Sequence, residues 1–280
     1  MKEMLYLEDV CISFGSRFSL DHLSFQVMPG EIFGFLGPSG AGKTTTIKLL
    51  TGQLRRQSGT IRILGKDTGG MEREDYDRIG ILSDTNGLYE RMTIEENLEF
   101  FAGIRGVEKK RAEELLKIMH LYDQRRTPVK KCSKGMRQRT VLAAAVIHKP
   151  DLLFLDEPTN GLDPATILEV HKMLLALNRE GTTIFLTTHN MEEADKLCGR
   201  VGILNQGRLV TCGAPQELKL MFARDEMILL TADRQTITVK KDVAGAKRVL
   251  ELMESGNLLT LHSREPNLEE IFIELTGREF

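Results

Sequence analysis

The run Gly37-Pro38-Ser39-Gly40-Ala41-Gly42-Lys43-Thr44 carries more chemistry than any other in this chain. Its spacing is G-x-x-x-x-G-K-[ST], set between an apolar run and the helix-prone Thr45-Thr46-Ile47-Lys48-Leu49-Leu50. Glycines at these positions free the backbone to curl, so successive N–H groups point inward at the β- and γ-phosphates of a nucleoside triphosphate. The helix after the loop adds the positive end of its dipole. Lys43 supplies a full charge to the β/γ oxygens, and the Thr44 hydroxyl is a ligand for Mg²⁺. These residues imply a nucleoside triphosphate site. They do not say how its energy is used.

Downstream, Leu152-Leu153-Phe154-Leu155-Asp156 reads as an apolar strand ending in a carboxylate, the position where P-loop enzymes hold Mg²⁺. Glu157 comes next and can point at an attacking water rather than at the metal. Upstream, Cys132-Ser133-Lys134-Gly135-Met136-Arg137-Gln138-Arg139 precedes an apolar helix over residues 141–147. A serine and a glycine at a helix start form an anion-binding end. His189 comes after a strand over residues 183–187. Taken alone, such a histidine is most often a polar surface residue.

The elements that must position these groups fall into a pattern. Residues 4–14 and 18–27 alternate with a period of two, the first with a slip near Glu8-Asp9, and Pro29-Gly30 marks a turn. Residues 31–36 form a short apolar strand leading into the phosphate loop, and residues 60–64 another strand. From Thr93 to about Ile147 helical spacing dominates. Strands over 151–155, 182–187 and 200–204 then alternate with an amphipathic helix over 164–179, as in a parallel sheet. The texture changes after Gly213-Ala214-Pro215. A strand pair (226–231, 236–239), a helix (243–253), a strand (258–262) and a helix (267–275) predict a small second domain from about residue 219.

Composition narrows the class. A length of 280 residues leaves room for one large domain and a small one, and 41% apolar residues is ordinary for a folded soluble protein. The net charge is −2, with Lys and Arg dispersed, so no basic face argues for nucleic acid. The longest apolar stretches, 141–147 and 152–155, fall far short of a membrane span, and the acidic start has no signal-peptide layout. Cys11, Cys132, Cys198 and Cys212 form no C-x-x-C pair, which argues against a metal cluster or a disulfide framework. A cytoplasmic protein is expected, held against the membrane through a partner.

In their order, these motifs resemble the ATP-binding cassette family, the motor subunits of membrane transporters, from Leu5 to about Leu218. The resemblance implies an α/β fold of the P-loop NTPase type. Its parts are a parallel-sheet core, an N-terminal antiparallel β subdomain and a helical subdomain at about 85–150, all within a cassette domain of residues 1–218. Residues 219–280 then make a small α+β domain. Residues Gly37 to Thr45 would bind ATP, with Thr44 and Asp156 holding Mg²⁺. Glu157 matches the general base and His189 the histidine that contacts the γ-phosphate. Phe14, before Gly15, matches the aromatic that stacks on adenine. Gly161-Leu162-Asp163 matches the loop that crosses between subunits.

This sequence departs from the family pattern twice. Where the family has Leu-Ser-Gly-Gly-Gln, it has Cys132, Ser133, Lys134, Gly135 and Met136. Ser133 and Gly135 keep the hydroxyl and backbone N–H that reach a γ-phosphate bound on another subunit, whereas Lys134 and Met136 replace groups that tune that contact. This variant is similar to the drug- and peptide-exporting branch, whose permeases are separate chains. The glutamine expected after Ile79-Gly80-Ile81-Leu82-Ser83 is Asp84. Being shorter and charged, Asp84 either reaches Mg²⁺ through water or is a turn carboxylate beside Asn86-Gly87.

The resemblance implies an ATPase pairing with a second cassette subunit and with a separately encoded permease. A cassette acting on ribosomes or DNA is the first alternative. It is disfavoured by the lone cassette and by the absence of metal-binding cysteine pairs and heptad runs. An ATP-binding regulatory subunit is the second, and Asp156, Glu157 and His189 count against it.

Overall fold

The period-two pattern near the start closes into two antiparallel strands, β1 (Leu5–Ser13) and β2 (Ser19–Val27), in a computed structural model that describes residues 2–15, 19–83 and 87–277. Alternate leucine, valine, isoleucine and phenylalanine side chains bury one face of this pair. The slip expected near Glu8-Asp9 is a break of register between Leu7 and Val10, where Asp9 takes a left-handed φ of 54°. With β4 (Ser58–Ile63) and β5 (Lys66–Asp67) these strands form an antiparallel sheet of order β2-β1-β4-β5.

β3 (Ile32–Leu36) is apolar throughout and buried on both faces, as suits a central strand. It lies inside a six-stranded sheet of order β10-β9-β3-β8-β7-β6. The other members are β6 (Ile79–Leu82), β7 (Leu152–Asp156), β8 (Thr183–Thr188), β9 (Arg200–Asn205) and β10 (Arg208–Gly213). Every pairing is parallel except the hairpin of β9 with β10. Leu36 lies opposite Thr188 and Asp156 opposite Thr187, so this register ends three strands at one level.

The connections between the parallel strands carry helix. α1 (Lys43–Leu50) comes after the phosphate loop and a short α2 (Arg73–Tyr76) precedes β6. Between β6 and β7 come α3 (Ile94–Ile104), α4 (Lys109–Ile118) and α5 (Lys134–Ala145), packed on one another as an inserted helical layer. Thr93 and Glu96 start α3 with a reciprocal capping box. α5 begins well ahead of the apolar stretch at 141–147, because Ser133 caps it at Lys134. α6 (Pro164–Arg179) and α7 (Met191–Leu197) complete this unit.

Stacked phenylalanines hold the two sheets together. Phe25 from β2 stacks on Phe33 of β3 at 5.5 Å and on Phe185 of β8 at 5.9 Å, and Phe154 of β7 meets Phe185 edge-on at 5.8 Å. No helix among the described residues is long and apolar enough to cross a membrane.

The chain divides at Gly213/Ala214 into two compact units. The second contains α8 (Pro215–Met221), β11 (Glu226–Thr231), β12 (Thr236–Lys240), α9 (Val243–Glu254), β13 (Leu258–Ser263) and α10 (Leu268–Thr276). Its sheet is antiparallel with order β12-β11-β13 and carries α9. The division precedes the boundary expected near residue 219 because α8 packs against α10 rather than ending the first unit.

Phe185 touches rings from three strands and is fully buried, so Phe185→Ala should cost about 3–5 kcal/mol of stability. Urea unfolding followed by circular dichroism measures it; a loss under about 1 kcal/mol contradicts the role given to the ring cluster.

Candidate active site

The phosphate loop leaves β3 through a backbone that only glycine tolerates at its hinge. Gly37 has a φ of 157°, and a Cβ there would stand 2.3 Å from the Leu204 carbonyl oxygen. Gly42, at the start of α1, has a φ of 117°, in the region that L side chains rarely adopt. Within the loop the Ala41 N–H donates to the Pro38 carbonyl at 3.1 Å. Lys43 is the first residue of α1 and only 6% exposed. Its ammonium donates to the Gly37 carbonyl at 2.7 Å and the Pro38 carbonyl at 3.2 Å. It also stands 3.2 Å from Glu157 Oε1. A nearly buried cation needs such partners, and the carboxylate supplies the opposite charge.

Asp156 ends β7 between two hydroxyls. Thr44 Oγ1 donates to its Oδ2 at 2.8 Å, and Thr187 Oγ1 of β8 donates to its Oδ1 at 2.5 Å. Glu157 then turns through a left-handed φ of 49°, a conformation costing a non-glycine residue about 1–3 kcal/mol. Its N–H donates to the Thr187 carbonyl at 3.1 Å, which holds the turn. The turn carries the carboxylate to His189, whose Nδ1 donates to Glu157 Oε2 at 2.7 Å. One carboxylate thus joins a lysine from the phosphate loop to a histidine from the end of β8.

These groups line one cavity of about 610 Å³, within the range of small-molecule sites. Ser39, Gly40, Gly42, Lys43, Thr44 and Thr45 form one wall, and Glu157, Asn160 and His189 another. The sequence does not single out Asn160; its N–H donates to the Glu157 carbonyl at 3.2 Å and so closes the turn that aims Glu157. Thr187 likewise carries no local signal beyond that of a strand residue.

The remaining expected site residues lie elsewhere. Phe14 comes after β1, is 45% exposed, and is not among the described residues lining the cavity. Asp84 lies outside the described residues. Ser133 caps α5, its Oγ accepting from the Met136 N–H at 3.2 Å. Lys134 lies over the Gly161 backbone, where a Cβ would meet its Nζ at 2.1 Å, and Gly135 faces Thr166, where a Cβ would stand 3.1 Å from Oγ1. Asp163 caps α6, accepting from the Ala165 and Thr166 N–H groups at 3.1 Å each. The start of α5 therefore packs beside the loop Gly161-Leu162-Asp163 of its own chain.

Behind the cavity wall sits a buried carboxylate that the sequence does not single out. Glu193, in the first turn of α7, accepts from Thr159 Oγ1 at 2.7 Å, His171 Nε2 at 3.0 Å and Thr188 Oγ1 at 2.8 Å. Burial alone pushes its carboxyl above the ordinary value, but the donors from His171, Thr159 and Thr188 outweigh that and leave it below.

Comparison with known proteins gives this arrangement its relatives. The sequence profile described as "ABC transporter" matches residues 20–160. The chain is 40% identical to a fluoroquinolones export ATP-binding protein of Mycobacterium tuberculosis, over 92% of this chain and 87% of that protein. It is 35% identical to the linearmycin resistance ATP-binding protein of Bacillus subtilis, over 98% of this chain and 99% of that one. Among solved structures, an ATP-binding subunit of an ABC transporter superposes with a TM-score of 0.74 at 25% identity, covering 98% of this chain and 99% of that chain.

A carboxyl held below its ordinary value of 4.5 contributes stability above that pH and loses it as pH falls through the folded-state value. Glu193→Gln should therefore flatten the fall of the urea midpoint below about pH 4.5 relative to the parent. Parallel profiles for the two proteins would contradict the hydrogen-bonded carboxylate.

Proposed function

The chain belongs to the ATP-binding cassette transporter family and is an ATP-hydrolysing subunit, and from that premise we propose that it drives an exporter whose permease is a separate polypeptide. The observation that carries the catalytic reading is the convergence of Lys43, Glu157 and His189 on one cavity, with Glu157 3.2 Å from the lysine and 2.7 Å from the histidine. The phosphate loop cradles the triphosphate, and Lys43 exchanges its loop carbonyls for phosphate oxygens. Glu157 accepts the proton of the attacking water. His189 holds Glu157 and stands in the same cavity, within reach of the terminal phosphate.

Thr44 and Asp156 suit Mg²⁺: a hydroxyl that lines the cavity and a carboxylate behind it, both hard oxygen donors, lie 2.8 Å apart. When bound there, the ion neutralises charge developing on the phosphate oxygens. Thr187 holds the second Asp156 oxygen, so the carboxylate offers Oδ2 in a fixed direction. Phe14, exposed at the end of β1, is the residue we assign to the adenine face, a stacking contact worth about 1–3 kcal/mol.

Ser133, Lys134, Gly135 and Met136 are not among the described residues lining the chain's own cavity, which supports their acting on a nucleotide held by a second cassette subunit. Gly161-Leu162-Asp163 packs beside that segment and is assigned to the same junction. Nucleotide sandwiched between two cassettes would close the pair, and hydrolysis would reopen it. On the helical layer, Tyr89, Phe100 and Ile104 present exposed apolar surface, with Tyr89 and Phe100 in edge contact at 4.7 Å. We assign that surface to the permease, and the protein to the cytoplasmic face of the membrane. The export names of the relatives disfavour a ribosome- or DNA-associated role.

Glu157→Gln should keep ATP binding and lower hydrolysis about 10²–10⁴-fold, the usual worth of a positioned base. It should also accumulate as an ATP-bound dimer on size-exclusion chromatography with Mg-ATP. Lys43→Ala, in contrast, should lose tight ATP binding, read by titration with a fluorescent ATP analogue. Near-normal turnover in the first variant, or near-normal affinity in the second, overturns the site assignment.

A further inference from the structure

The Glu157–His189 pair is made by two loops that leave different strands, so something must hold those loops in register. Glu157 belongs to the loop after β7 and His189 to the loop after β8. Both side chains are partly exposed, and a hydrogen bond between exposed groups does not by itself fix two loops. The register of β7 with β8 ends at Asp156 and Thr187, and the Glu157 N–H still reaches the Thr187 carbonyl, but that contact fixes the Glu157 backbone and leaves His189 to be placed.

Beyond that last backbone pair, Glu193 takes over. Its Oε1 accepts from Thr159, two residues after Glu157, and its Oε2 accepts from Thr188, the residue before His189. Thr159, Thr188 and Glu193 are all buried. His171 Nε2 of α6 also donates to Oε1, tying in the helix that Asp163 caps. The carboxylate is fixed in turn: the Glu193 N–H donates to the Asn190 side chain at 3.0 Å, and the Asn190 N–H donates to Thr188 Oγ1 at 3.0 Å. An ionised carboxylate accepts without donating, so its two oxygens can take all three donors at once. In a buried setting every one of those bonds is costly to break.

We propose that Glu193 is a positioning residue for ATP hydrolysis, clamping Thr159 and Thr188 so that Glu157 and His189 meet across the cavity. It is buried, is not among the described residues lining the cavity, and acts through the two loops. Asp156 with Thr187 fixes the metal side of the same edge, and Glu193 with Thr159 and Thr188 fixes the base side. The inference rests on the roles assigned to Glu157 and His189 above.

Glu193→Gln keeps the volume and removes the charge. Thr188→Val removes one hydroxyl from the clamp, and Thr188→Ser returns it. In the full-length protein, with folded fraction set by circular dichroism and ATP affinity by a fluorescent analogue, Glu193→Gln and Thr188→Val should lower kcat about ten-fold or more, as small misplacements of reacting groups do. KM for ATP should stay within about two-fold. Thr188→Ser should recover most of the loss. In a double-mutant cycle, His189→Ala should cost little further once Glu193 is Gln, because the pair it breaks is already displaced. Unchanged kcat in Glu193→Gln and Thr188→Val overturns the proposal. So does a loss confined to the folded fraction or to KM, or full additivity with His189→Ala. Glu157→Gln run alongside separates the two levels. If it hydrolyses normally, the site assignment fails; if it is inactive while the clamp variants are normal, only the clamp fails.

Discussion

The Asp156 carboxylate, held between the hydroxyls of Thr44 and Thr187, is the contact on which the site depends. It joins three elements far apart in sequence: the helix after the phosphate loop, the end of β7 and the end of β8. The join is possible because β3, β8 and β7 are consecutive neighbours and run parallel, in a register that brings Leu36 level with Thr188 and Asp156 level with Thr187. Ligand sites of open parallel sheets form at the carboxyl ends of the strands for this geometric reason. The phenylalanine stack between the sheets secures β3 and β8 at mid-strand, leaving their ends free to carry loops.

Electrostatics then divides the work between adjacent carboxylates. Asp156 is buried and bound by two hydroxyls. Glu157, one residue later, is swung by a left-handed turn into contact with Lys43 and His189. Without that turn, side-chain alternation would send Glu157 to the opposite face of the strand from Asp156. The backbone conformation is what brings Glu157 into the cavity beside Lys43 and His189, and its cost is offset by hydrogen bonds to Thr187 and Asn160.

Much of this is legible in the sequence, for local reasons. Gly37 to Thr44 announces itself because the curled loop needs glycine at fixed spacing and the lysine directly after it. Asp156 is marked by four preceding apolar residues, the signature of a strand buried on both faces. The slip at Glu8-Asp9 and the onset of helical spacing at Thr93 are equally local. The clamp is not legible. Glu193 sits beside Glu192 in the first turn of α7, where either reads as an exposed acid complementing the helix dipole; only the packing of α6 and β8 makes one buried and the other not. Thr159, His171 and Thr188 come from separate elements and converge only once the strand order is set. The order itself, with β9 inserted beside β3, is a long-range property that no local pattern encodes. The division at Gly213 falls a few residues before the expected boundary because α8 carries no mark of its partner α10.

The central claim is that Asp156 and Thr44 make the bound triphosphate depend on a divalent cation. The most direct measurement is ATP affinity in excess Mg²⁺ and in EDTA, for the parent protein and for Asp156→Asn. The expected result is tighter binding with Mg²⁺ in the parent, and affinities in Mg²⁺ and EDTA within about two-fold, or about 0.4 kcal/mol, of each other in the variant. An Asp156→Asn protein that retains the parent's full Mg²⁺ enhancement would place the cation elsewhere and contradict the reading of the site.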